Sequence, residues 1–103
     1  MIIRIVKMVF RKEDIPAFLR LFEERKATIR SFEGCRHVEL WQSISDDGIC
    51  FTYSIWENEA ALEAYRHSDF FQETWLQTKL FFREKAMAWS VKKESAAAIP
   101  CLS

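Results

Sequence analysis

Cys35-Arg36-His37-Val38-Glu39-Leu40-Trp41-Gln42-Ser43-Ile44-Ser45-Asp46-Asp47-Gly48-Ile49-Cys50-Phe51-Thr52-Tyr53-Ser54-Ile55-Trp56 is the stretch that decides the fold. Two strand-like runs flank Asp46-Asp47-Gly48, and Asp-Gly between such runs is a strong hairpin signal. A two-residue turn at Asp47-Gly48 sets Asp46 opposite Ile49. One face then collects Val38, Leu40, Gln42 and Ile44 with Phe51, Tyr53 and Ile55. The other collects His37, Glu39, Trp41 and Ser43 with Thr52, Ser54 and Trp56. Strand side chains alternate, so a one-residue slip would mix the two sets.

Upstream, Met1 to Phe10 is apolar on both parities and predicts a strand buried on both faces. Arg11 to Asp14 is a polar break with acids placed for a helix start. Pro16 is tolerated in a first helical turn. Ile15, Phe18, Leu19, Phe22 and Ile29 recur at helical spacing, and Gly34 offers a C-cap. Downstream, Asn58 caps a short helix through Arg66, and Ser68 caps a second one to about Arg83. Met87 to Lys93 reads as a fourth strand. The order β-α-β-β-α-β is that of an α+β, ferredoxin-like domain, a four-stranded antiparallel sheet with helices on one face. One domain spans residues 1–94. The stretch 95–103 is a tail, either loose or packed on a partner subunit.

The chain has 103 residues, with 15 basic and 15 acidic side chains that cancel. A nucleic-acid clamp needs a basic excess, so none is expected. No run reaches the ~18–20 apolar residues of a membrane span. Cys35, Cys50 and Cys101 are widely spaced, which suits a reducing cytoplasm, with Cys35 and Cys50 as buried thiols. Phosphate-loop, dinucleotide and zinc spacings are missing, and neither metal nor cofactor is expected. Aromatics make up 15% of the chain, more than a minimal core needs. An open sheet face carrying Leu40, Ile44, Phe51, Tyr53 and Ile55 would be an apolar patch that demands a partner. It predicts a homodimer packed sheet to sheet about a two-fold axis. The other face, with His37, Trp41, Thr52 and Trp56, suits a pocket beneath the helices for a small aromatic ligand. His37 is a candidate general base. Cys35 with His37 lacks an orienting third group for nucleophilic chemistry. Lys7 reads either as a snorkelling strand residue or as a polar group at the pocket.

Glu33-Gly34 before the second strand, Asp47-Gly48 at the hairpin, Ser54-Ile55-Trp56-Glu57-Asn58-Glu59-Ala60-Ala61-Leu62, and Tyr65-Arg66-His67-Ser68-Asp69-Phe70-Phe71 together resemble the antibiotic biosynthesis monooxygenase family. The likeness covers roughly residues 2 to 93. It implies a dimeric α+β barrel and cofactor-independent oxidation of polycyclic phenols or quinols by O2. Trp56 matches the family's strand-end tryptophan. The catalytic Asn of polyketide-oxidising members falls at Thr52, their pocket His at Trp41 and their helix Arg at Leu76. A haem-degrading branch uses an Asn, a Trp and an axial His, which fall at Lys7, Tyr65 and Trp75. Without that histidine, axial iron ligation is not supported. The expected site is therefore Trp56 and His37 as catalytic residues, with Trp41, Thr52, Tyr65, Trp75 and Lys7 binding substrate. The alternative is a non-catalytic ligand-binding dimer of the same fold.

Overall fold

A computed structural model describes residues 1–97. The proposed tail falls mostly on 98–103, outside the described residues. Strand β1 (Ile2–Phe10) leads through a 3-10 turn into helix α1 (Ile15–Ser31). The turn is held by an Arg11–Asp14 ion pair at 2.7 Å. Pro16 sits in the first helical turn, where its missing N–H costs nothing. Phe18, Leu21, Phe22 and Ile29 form the buried stripe of α1.

Gly34 turns the chain into β2 (Cys35–Gln42) with φ of +84°. This is left-handed backbone that only glycine adopts cheaply. Space excludes a side chain as well, because a Cβ at Gly34 would lie 2.4 Å from the Ala61 Cβ. Strand β3 (Ile49–Trp56) follows, then α2 (Glu59–Arg66), α3 (Asp69–Lys79) and β4 (Phe82–Val91). Asn58 Oδ1 accepts from the Ala61 N–H at 2.9 Å, and Ser68 Oγ accepts from Phe71 N–H at 3.1 Å. Both predicted N-caps are therefore in place. The sheet is antiparallel with order β2-β3-β1-β4. This is the expected α+β, β-α-β-β-α-β domain.

Three features depart from expectation. The last helix ends at Lys79 rather than near Arg83, and β4 begins at Phe82 rather than Met87. The Phe81 carbonyl accepts from Arg11 N–H at 3.0 Å, and Phe82 pairs with Phe10. Pairing with the end of β1 thus draws Phe82 into the sheet. Its aromatic bulk packs the core from a strand, not from a helix.

The third departure is the hairpin register. Asp46 and Ile49 do close a tight turn, Ile49 N–H donating to Asp46 C=O at 3.0 Å. The strands, however, join further out, where Ser43 N–H donates to Ile49 C=O at 2.8 Å. Ser43, Ile44 and Ser45 are extra residues on one side only. The favoured two-residue hairpin turns need positive φ at the first turn residue or at both. Among the described residues only Gly34 has positive φ, so Asp47-Gly48 is not such a turn. Gly48 serves close approach instead. Its carbonyl accepts from Phe10 N–H at 2.8 Å, and a Cβ there would meet the Phe10 carbonyl oxygen at 2.8 Å.

Consequently Leu40 pairs with Thr52 and Trp41 with Phe51, where a two-residue turn would pair Trp41 with Ser54. The offset is three residues, and an odd offset exchanges the faces of one strand relative to the other. Val38 and Leu40 now join Thr52, Ser54 and Trp56 beneath the helices. His37, Glu39 and Trp41 join Phe51, Tyr53 and Ile55 on the open face. Ile44 lies in the loop, fully exposed.

Candidate functional site

On β1 the even residues Arg4, Val6 and Met8 pair with Ser54, Thr52 and Cys50, so they share the helix-covered face. The core under the helices splits in two. One cluster is built on Met8, Phe10, Ile15, Phe18, Phe22 and Cys50, with Trp75 and Phe82 packed against it. The other is built on Cys35, Trp56 and Leu62, with Tyr65 against it. A cavity of about 260 Å³ opens between the clusters and touches both.

Its walls are aromatic. Tyr65 stacks on Trp56 at 4.9 Å between ring centroids and meets Phe71 edge-on at 5.1 Å. Phe71 stacks on Trp75 at 5.9 Å, and Trp75 meets Phe82 edge-on at 5.6 Å. These offset and edge-to-face contacts are the favoured geometries for rings, and they make a rigid wall. Trp56 itself is fully buried behind Tyr65, and its indole N–H donates to Ser54 Oγ at 3.0 Å.

Hydroxyl groups punctuate the wall. Thr52 lines the cavity from the middle of β3, and among the described residues its hydroxyl has no hydrogen-bond partner. Thr78 Oγ1 donates to the Thr74 carbonyl at 2.8 Å, and Thr74 Oγ1 accepts from Arg25 at 3.0 Å. Burial pushes the Tyr65 phenol well above its ordinary range, so at neutral pH it is an O–H donor and not a base. No carboxylate or imidazole lines the cavity among the described residues, nor do three His, Cys, Asp or Glu side chains converge to hold a metal ion.

Of the residues expected at the site, Thr52, Tyr65 and Trp75 line this cavity, and Trp56 backs it. His37, Trp41 and Lys7 do not reach it. The shifted register puts His37 and Trp41 on the opposite face, where Trp41 stacks on Tyr53 at 4.9 Å. His37 Nε2 lies 3.5 Å from Glu39 there. Lys7 pairs with Phe51 and Met87 on that same face. Cys35 is buried and its Sγ contacts the His37 carbonyl at 3.7 Å, not the imidazole. Desolvation raises its thiol pKa, the reverse of an activated nucleophile.

The sequence reading missed Arg4, Arg25 and Arg66, all of which line the cavity. Arg4 carried a signal, being a charged residue in step with Val6 and Met8 inside an apolar run. Arg66 carried none, since a last-turn arginine is ordinary helix chemistry.

A two-layer α+β domain with an aromatic cavity between sheet and helices is the class these features define. The sequence profile of the antibiotic biosynthesis monooxygenase family matches residues 1–75. The chain belongs to that family, and a monooxygenase-like function in the general sense comes with it. No curated protein sequence matches the chain. Solved structures share its fold. One antibiotic biosynthesis monooxygenase superposes with a TM-score of 0.84 at 20% identity, covering 97% of this chain and 100% of that one. A conserved protein from Methanosarcina mazei superposes with a TM-score of 0.85 at 21% identity, covering 91% and 94%. A protein from Mycobacterium tuberculosis gives 0.84 at 18%, covering 94% and 98%. At these identities the likeness is one of fold.

Proposed function

We propose that the chain is a cofactor-independent monooxygenase that oxidises a small hydroxyarene or quinol with O2, working as a homodimer joined through its open sheet faces. The observation that carries the reading is the aromatic cavity beneath the helices, in a chain of this family. Tyr65, Phe71 and Trp75 give a flat ring one aromatic wall to lie against, and Thr52 offers it an uncommitted hydroxyl. Trp56 acts as a positioning residue by backing Tyr65. Oxidation of a hydroxyarene to its quinone removes four electrons, the number O2 accepts. One oxygen atom becomes the new carbonyl and the other leaves as water. The substrate supplies every electron, so no external reductant enters the balance. The largely apolar walls limit water at the bound ring.

The dimer rests on the open face. Ile3, Ile5, Tyr53, Ile55 and Trp89 share it by register, and Trp41, Met87, Trp89 and Val91 are exposed. That is an apolar patch spread over all four strands, of the kind that marks an interface. His37, Trp41 and Lys7 belong to this interface in the proposal.

The test is oxygen uptake with 1-naphthol as probe, in air and anaerobically. The expected result is protein-dependent uptake with 1,4-naphthoquinone formed one-for-one with O2. Trp75→Ala should slow it by about tenfold or more. Uptake unaffected by Trp75→Ala would overturn the site. Binding without uptake would instead support a non-catalytic ligand-binding dimer, the reading favoured by the lack of carboxylate or imidazole in the lining.

A further inference from the structure

Arg4 is an unusual residue for its position. It sits on β1, inside the sheet, on the helix-covered face, between Ser54 on β3 and Ser90 on β4. A guanidinium there loses part of its hydration, and such groups are normally paired. Arg4 makes one side-chain hydrogen bond, from Nη1 to Ser90 Oγ at 3.0 Å. Among the described residues it has no carboxylate within ion-pair distance. Most of its planar fork of donors is left without an anionic partner.

The nearby charges do not cancel it. Arg66 lines the same cavity and is near enough to repel the Arg4 charge, although Glu63 attracts it. Burial first, and then Arg66, hold Arg4 below the usual guanidinium range. Glu63 is committed to Arg66 at 2.8 Å and also faces His67 at 3.3 Å. The hydrogen bond from Arg66 holds the Glu63 carboxyl below the usual carboxylate range. Two guanidiniums against one carboxylate leave one positive charge at this end of the cavity. Arg25, the third lining arginine, is engaged with Glu73 at 3.5 Å and lies over the Phe70 ring at 5.7 Å.

Taking the cavity as the substrate site, as the proposed function does, we infer that its ligand is an aromatic carboxylate, held by Arg4 and Arg66 with its ring against the wall of Tyr65, Phe71 and Trp75. One uncompensated charge matches a monoanion. A phosphate dianion would bring more charge than the pair can balance. The flat fork of a guanidinium matches the two oxygens of a carboxylate. The apolar remainder of the lining, with Met8, Phe18 and Phe22, receives the ring. At about 260 Å³ the cavity lies just under the ~300–1,000 Å³ common for drug-sized ligands, which favours a compact ring system. The zero net charge of the chain hides this local excess.

The test compares 2-naphthoate with 2-naphthamide, equal in shape but different in charge, by calorimetric titration at neutral pH. The expected result is that naphthoate binds at least about tenfold tighter. The advantage should shrink as NaCl rises from about 0.05 to about 0.5 M, because salt screens partly exposed charges. In Arg4→Gln the advantage should vanish, with an unchanged circular dichroism spectrum and thermal melt reporting that the variant folds. Arg4→Lys should recover part of it. Equal affinity of wild type for both probes would overturn the inference and leave the cavity reading standing. Failure of both to bind would overturn the cavity reading, and the inference with it.

Discussion

Tyr65 lies over the fully buried Trp56 at 4.9 Å between ring centroids, with the two planes 26° apart. One ring is the cavity wall and the other is the core that holds the wall. Replacing Tyr65 by Phe keeps the stack and removes only the hydroxyl. The expected cost in stability is under about 1 kcal/mol. Tyr65→Ala removes the ring and should cost about 3 kcal/mol or more, as large-to-small core changes do. Denaturant melts followed by tryptophan fluorescence measure both, and equal losses would show that the stack is not what matters.

Gly34 and Ala61 are packed so that a second Cβ has no room. Gly34→Ala meets two obstacles, the positive φ and the 2.4 Å contact. We expect a loss of about 2–4 kcal/mol. Combining it with Ala61→Gly should restore part of that loss, because only the contact is relieved. Additive losses in the double variant, read from thermal melts, would assign the whole cost to backbone conformation.

Cys50 is fully buried, and desolvation pushes its thiol pKa up to about 11 from an ordinary 9.0. The folded chain therefore holds this proton more tightly than the unfolded chain. The stability linked to the neutral thiol is complete below pH 9, and it falls as pH rises from 9 through about 11. The raised phenol of Tyr65 adds a loss of the same sign in the alkaline range. Denaturation midpoints that stay flat from pH 8 to about 10.5 would contradict this. In a Cys101→Ser variant, neither remaining thiol should react with a disulfide reagent at pH 8 until the chain is unfolded.

Trp41 and Trp89 are half-exposed on a sheet face that carries Ile3, Ile5, Tyr53 and Ile55 beside them. Sedimentation equilibrium of the wild type should give about twice the 12.2 kDa chain mass. Trp89→Glu places a charge in the proposed interface and should shift the mass toward one chain, with helix content unchanged by circular dichroism. A single-chain mass for the wild type at micromolar concentration would remove the dimer.

Much of this protein was legible in the sequence because it is set by neighbours along the chain. The apolar run of β1, the helical spacing of Phe18 and Phe22, and the caps Asn58 and Ser68 are short-range chemistry, and the element order follows from them; the first helix is capped by Phe32, and Gly34 makes the turn after it. Thr52, Tyr65 and Trp75 were readable as a group through the family likeness, and they do share one cavity.

What the tertiary structure decided is which face each strand of the hairpin presents. Gly48 packs against the carbonyl of Phe10, a residue far away in sequence, and so does not adopt the left-handed backbone that favoured two-residue hairpin turns use. Ser43, Ile44 and Ser45 loop out, the register moves by three, and His37 and Trp41 change sides. Face assignment depends on an odd or even count across a loop, and that count is settled by contacts to a third strand. The same holds for Arg4 and Arg66, brought to one cavity from the first strand and the second helix. Local sequence determines what each element is. Only packing determines which charges share a cavity, because that depends on elements meeting across the core.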